Sequence, residues 1–186
     1  MKLLSIQSEW RSAFGSALPA GFLCRNELQD RWLRIHSLPG SKRYAETGAE
    51  RSAILARHNL IADYTLGGNS DCALFFTQFG SNKSWSHSEG GVLGERIPEH
   101  IMSFHQAEEQ FEFFALNITW RSGAFDELLL AVAEERVGPI LFANIEKRSI
   151  YAPYDGGADL FFPSSAAAEL AKQHFAYWLS KREDGM

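Results

Sequence analysis

Two tracts of this 186-residue chain gather side chains of the kinds that do chemistry. The first runs from Trp32 to Tyr44 and holds Arg34, His36, Ser41, Lys42 and Arg43. A planar guanidinium fork, a mobile ammonium and a neutral hydroxyl are the donors that hold a phosphate or carboxylate. His36 adds a group that titrates near neutrality. The same arginines can instead pair with the acidic remainder of the chain, and ion-pair networks imitate sites. The second tract, Ala152 to Phe162, carries Tyr154, Asp155 and Asp159 around Gly156-Gly157. Glycine admits positive φ, so Asp155 is expected at a tight turn with Asp159 at the start of the next strand. Two carboxylates at that spacing can hold a cation or act as an acid and base pair. The plainer alternative is an aspartate bonded to its own turn backbone.

Weaker constellations surround these tracts. The stretch from Gly80 to Gly94 is rich in Gly and Ser, with Trp85 and His87 embedded in it. Long irregular loops are often functional, and aromatic residues concentrate binding energy at interfaces. Trp85 and His87 are therefore the candidates for contact with a partner. His100 and His105 stand among Glu99, Glu108 and Glu109, but their spacing fits no helical or strand pair of metal ligands, and a solvated face with no metal is expected. His58 and His174 each fall on an apolar helical stripe, where a satisfied core or boundary histidine is expected. Walker, Rossmann, nucleophile-elbow and zinc-protease signatures are missing, and neither Cys24 nor Cys72 has a neighbouring His to activate it. No cofactor is expected.

The elements that must position these residues can be read from hydrophobic period. Ser8 is placed as the cap of a helix carrying Trp10, Phe14 and Leu18. Alternation from Arg31 to His36 puts Leu33 and Ile35 inward and Trp32, Arg34 and His36 outward on a strand. Thr47 and Glu50 form a capping-box spacing before a helix that runs to Gly67-Gly68. Strands are expected over Cys72–Phe79, Ile101–Phe104 and Phe111–Trp120. A helix entered from Ser122 carries Phe125, Leu128, Leu129 and Val132 and stops at Gly138-Pro139. Three short strands come next, over Ile140–Ile145, Ser149–Ala152 and Ala158–Phe162. A final helix, capped by Ser164 or Ser165, presents Leu170, Ala171, His174, Phe175, Trp178 and Leu179. Consecutive short strands favour an α+β fold in one domain over residues 1–186, with helices packed on a mixed, largely antiparallel sheet.

Segments RIHSLPGSKRYAE with LARHN, and APYDGGADLFFP with YWLS, resemble a group of uncharacterised bacterial proteins sharing a domain of unknown function. The resemblance covers Trp32–Asn59 and Ile140–Ser180. It implies a bacterial, cytoplasmic protein whose two tracts are family features, with no activity attached.

Charge and composition narrow the classes further. The chain has 18 Lys+Arg against 23 Asp+Glu, a net charge of −5. Residues 1–60 hold nine basic and five acidic side chains, and residues 61–186 nine basic and eighteen acidic. The basic residues of the first part are interspersed with acids, unlike a nucleic-acid-binding stripe. The apolar run Leu3-Leu4-Ser5-Ile6 is short for a secretory signal, and no stretch is long enough to cross a membrane, so a cytoplasmic protein without membrane contact is expected. The expected function is a small non-enzymatic binding protein acting through a protein partner, in the manner of an immunity protein. The alternative is an enzyme or small-molecule binder that uses Arg34, His36, Lys42 and Arg43 near Asp155 and Asp159 to hold an anion.

Overall fold

The computed structural model describes residues 5–85, 93 and 96–179. Among them, twelve α-helices and strands run in chain order: α1 (Ile6–Phe14), α2 (Gly21–Glu27), β1 (Trp32–His36), α3 (Gly48–Leu66), β2 (Ser70–Phe79), β3 (Glu99–Gln106), β4 (Glu109–Trp120), α4 (Asp126–Ala133), β5 (Ile140–Asn144), β6 (Ser149–Tyr154), β7 (Gly157–Phe161) and α5 (Ser165–His174). The strands form one seven-stranded sheet in the order β1-β7-β6-β5-β2-β4-β3. Every pairing is antiparallel, so the sheet is not mixed but antiparallel throughout. The fold is α+β, in a single compact domain.

Period-two alternation splits the core in two. Leu74 and Phe76 of β2 join Leu33, Ile35, Phe114, Tyr151 and Leu160 beneath α3, α4 and α5. Ala73 and Phe75, on the other side, join Ile150, Ala152 and Phe161 beneath Trp10 and Phe14 of α1 and Cys24 of α2. Both faces are covered, which is why β5, β6 and β7 are buried almost end to end, Asn144, Ser149 and Asp159 included.

Local signals explain most boundaries. Thr47 accepts from the Glu50 amide while the Glu50 carboxylate accepts from the Thr47 amide, a complete capping box at the start of α3. Ser164 caps α5 through the Ala167 amide. Ser5, not Ser8, caps α1, because its Oγ is the one that accepts the Ser8 amide. Leu18 lies beyond that helix, which ends at Gly15 with φ 65°. Helix α2 has no counterpart among the sequence expectations: it has no side-chain cap and only seven residues. Helix α4 begins after Phe125 rather than Ser122. It ends before Gly138-Pro139, where Glu135 turns left-handed at φ 55°. Helix α5 stops at His174; Leu170 and His174 are exposed, Ala168, Ala171 and Phe175 are buried in the core, and Ala167, Trp178 and Leu179 pack against it half-buried.

His58 is a satisfied core histidine: its Nε2 lies 2.7 Å from Ser37 Oγ and its Nδ1 2.6 Å from the Tyr151 hydroxyl. No helix among the described residues is long and apolar enough to cross a membrane.

Candidate functional site

The two tracts meet as neighbouring strands. β1 and β7 pair with Arg34 opposite Asp159 and His36 opposite Gly157. Glycine is required at 157 because a Cβ there would overlap the Ile35 carbonyl oxygen of the adjacent strand. Across this register Arg34 grips Asp159 with both ends of its fork, Nε to Oδ1 at 2.8 Å and Nη2 to Oδ2 at 3.0 Å. The Trp32 indole donates to the same Oδ1 at 2.9 Å, and Arg25 of α2 reaches Oδ2 at 3.9 Å. Asp159 is only 4% exposed, so this carboxylate is held by charge and hydrogen bonds together. The Arg34 guanidinium also lies 4.8 Å from the centre of the Tyr154 ring.

Beside this pair is a cleft of about 340 Å³. Its walls are Gly21 and Phe22 at the start of α2, Val132 of α4, and Val137, Pro139 and Ile140 leading into β5. Ala152, Pro153 and Tyr154 form one side, with Arg34 and Asp159 beneath. Gly21 is tight against β6: a Cβ would come within 2.7 Å of that of Ala152. Two carboxylates, Asp155 and Glu135, line the mouth. Arg43, well exposed, donates its Nε to Asp155 and approaches Glu135 at 3.7 Å. The Tyr44 hydroxyl donates to Glu135 at 3.1 Å. The mouth thus sets two carboxylates against one guanidinium. Burial pushes the Tyr154 phenol up to about 12, so it stays protonated as a neutral donor.

Glu135 occupies a costly backbone position. The Arg136 amide bonds to the Ala131 carbonyl at 2.8 Å and the Glu135 amide to Val132 at 3.0 Å. This is the double hydrogen bond of a Schellman helix end, whose left-handed residue is usually glycine. A side chain in that conformation costs of order 1 kcal/mol, and such strain concentrates at functional positions.

The set expected to hold an anion is only partly assembled. Arg34, Tyr154, Asp155 and Asp159 line the cleft, and Arg43 stands at its mouth. Ser41 and Lys42 do not line it. Lys42 is bonded to Glu50 at 2.6 Å and to Glu46 at 3.1 Å, drawn toward the start of α3. His36 also lies outside the lining, and its Nε2 is buried without a hydrogen-bond partner. Burial and the nearby charges of Arg34 and Arg57 lower its pKa, keeping the ring neutral. Arg34, Lys42 and Arg43 each carry a carboxylate partner.

Trp85 does not project as a free aromatic. It is half-buried, its ring 4.8 Å from Phe76 and 5.4 Å from Phe114, and it closes the core on the α3 side. His87 lies outside the described residues. His100 bonds to Glu112, a fully buried carboxylate of β4 that also accepts from Ser103 and Gln110. Among the described residues no three His, Cys, Asp or Glu side chains are grouped to hold a metal. A larger hollow of about 970 Å³ opens elsewhere, between α1 and the β5–β6 turn, and is lined by none of the expected residues.

Sequence reasoning missed Trp32, Arg25, Phe22 and Glu135. Alternation puts Trp32 on the Arg34 face, but only the β1–β7 register gives its indole an acceptor. No local signal marks Phe22 or Glu135, which reach the cleft from elements distant in the chain.

A family described as "Domain of unknown function (DUF3885)" has a model that matches residues 20–183, a span that includes the whole cleft. No curated protein and no solved structure matches.

Proposed function

The chain belongs to that DUF3885 family, and on this premise we propose that it is a non-enzymatic binding domain whose cleft takes a cationic side chain of a protein partner. The observation that carries the reading is the left-handed Glu135 set beside Asp155 at the mouth of an apolar-walled cleft. A lysine or arginine has an aliphatic stem and a charged head. The stem would pack on Phe22, Val137, Pro139 and Pro153, and the head would join Arg43 between the two carboxylates. Affinity comes from burying the stem, and specificity from the charge. The pairing of Arg34, Lys42 and Arg43 with carboxylates supports a cation over a phosphate as the ligand. The protonated phenol of Tyr154 supports a binding role over proton transfer, because a group so far from neutrality makes a poor acid or base.

The partner of this reading is a basic protein, as an immunity protein meets in its toxin. A bacterial cytoplasm suits the two buried, free cysteines.

The test is an amide chemical-shift titration with Nα-acetyl-arginine methylamide, and separately with inorganic phosphate. The arginine probe is expected to shift the amides of Gly138, Tyr154, Asp155 and Gly156. The double variant Glu135→Gln/Asp155→Asn is expected to weaken that response at least fivefold. Phosphate moving the same amides, with the arginine probe silent, would overturn the reading in favour of an anion site.

A further inference from the structure

The far edge of the sheet carries a second surface of matching charge. β3 is an edge strand, bonded to β4 on one side and, among the described residues, to no strand on the other. An unpaired edge is a template for another strand. Proteins blunt such edges with charge, and here the charge has one sign. Between Ile97 and Trp120 the sequence has four glutamates, Glu99, Glu108, Glu109 and Glu112, and no lysine or arginine. Glu99, Glu108 and Glu109 are exposed. Like charges placed opposite one another repel, so this edge rejects a second copy of itself and admits a basic strand.

An aromatic ladder crosses the sheet from β2 through β4 to β3. Phe79 of β2 pairs across with Phe111 of β4, which pairs with Phe104 of β3. The Phe79 and Phe111 rings lie 5.4 Å apart, and Phe104 and Phe111 6.2 Å. Phe111 is buried, whereas Phe79 is 62% exposed. Phe22, which lines the cleft, lies 6.1 Å from Phe111 on the same face. The ladder therefore joins the cleft to the acidic edge.

We propose that the β3 edge, with Phe104 on it, is a docking surface for an extended, basic segment of a partner protein. The segment adds an eighth strand, its backbone bonding to the outer side of β3. Glu99 and Glu109 share the sheet face that carries Phe104, so the lysines or arginines alternate onto that face, their stems over Phe104 and their heads toward Glu99, Glu108 and Glu109. The inference shares with the cleft reading only the basic character of the partner, and its residues are not those of the cleft.

The test uses the whole protein and acetyl-(Lys-Val)4-amide, with acetyl-(Glu-Val)4-amide as control, by calorimetry and amide hydrogen exchange. The lysine peptide is expected to bind and to protect β3 amides from exchange, while the glutamate peptide does neither. The charge reversal Glu108→Lys/Glu109→Lys and the separate variant Glu99→Lys should each weaken binding at least fivefold with an unchanged melting temperature, all three residues being exposed. The cleft variant Glu135→Gln/Asp155→Asn should bind the peptide as the parent does. Peptide binding lost in the cleft variant but kept in the hairpin variants would overturn the docking surface while leaving the cleft reading intact. No binding of the lysine peptide, or equal binding of both peptides, would overturn it as well.

Discussion

Asp159 shows at the residue scale how a buried charge is tolerated and why removing its partner is costly. Its carboxylate receives two bonds from Arg34 and one from Trp32. Truncating one member leaves the other charge uncompensated in a low-dielectric setting. Asp159→Ala is therefore expected to destabilise the fold by about 3 kcal/mol, read from the midpoint of urea unfolding. The double replacement Arg34→Met/Asp159→Leu, which removes both charges and keeps the volume, should recover most of that loss. His58 makes a pH-dependent contribution. Burial, followed by the charge of Arg57, depresses its pKa from 6.5 to about 4. The unfolded chain therefore binds a proton more readily than the native one, and stability falls as pH drops through the window from 6.5 to 4. The loss approaches about 3 kcal/mol at the lower end. His58→Gln should flatten the urea midpoint across that window; an unchanged slope would show that another group is responsible.

Helix ends and strand registers make separable contributions at the scale of elements. The capping box of α3 uses Thr47 for one of the orphan amides, and Thr47→Ala should cost about 1 kcal/mol without altering the cleft. Glu135 works in the opposite sense. Glycine relieves the left-handed strain, so Glu135→Gly is expected to stabilise the protein by about 1 kcal/mol. The exposed contacts it gives up with Arg43 and Tyr44 offset little of this. The same change should weaken the arginine-probe response, a trade of stability for binding visible in a paired melting and titration experiment. The β1–β7 register tolerates no such adjustment: Gly157→Ala sets a methyl against the Ile35 carbonyl and should prevent normal pairing of the edge strand.

The whole molecule carries its two proposed binding surfaces on one antiparallel sheet, the cleft toward β1 and the acidic hairpin at the β3 edge. The charge asymmetry of the chain acquires a location here. Basic residues of the N-terminal part are engaged by Asp159, Asp155 and Glu50, while the carboxylates of Glu99, Glu108 and Glu109 stay outside. An acidic surface of this kind speeds capture of a basic partner and loses that advantage in salt. Association with the (Lys-Val)4 peptide should accordingly slow severalfold between 20 and 200 mM NaCl, roughly as the Debye length shortens from about 20 to 7 Å; a salt-independent rate would show that the carboxylates do not steer the encounter.

Hydrophobic period and capping chemistry are local, so the sequence by itself determined β1, the box-capped α3, the meander β5–β6–β7 and the α+β class. The glycines of the second tract mark the β6–β7 turn, but neither takes the expected positive φ, Asp159 lies in the middle of β7 rather than at its start, and Gly157 is needed for its close approach to the Ile35 carbonyl. Local patterns cannot say which strand lies beside which. The pairing of Arg34 with Asp159 spans 125 residues and depends on β7 sitting between β1 and β6. That order is decided by burying both faces of the sheet at once. It turned an apparent cluster of cations into closed ion pairs, and drew Lys42 away to α3. The cleft is likewise a product of packing alone, since Phe22, Glu135 and Tyr154 come from three separate parts of the chain. Trp85 illustrates the same limit: composition marked it as a loop aromatic, and the apolar surface of Phe76 and Phe114 beneath it made it part of the core.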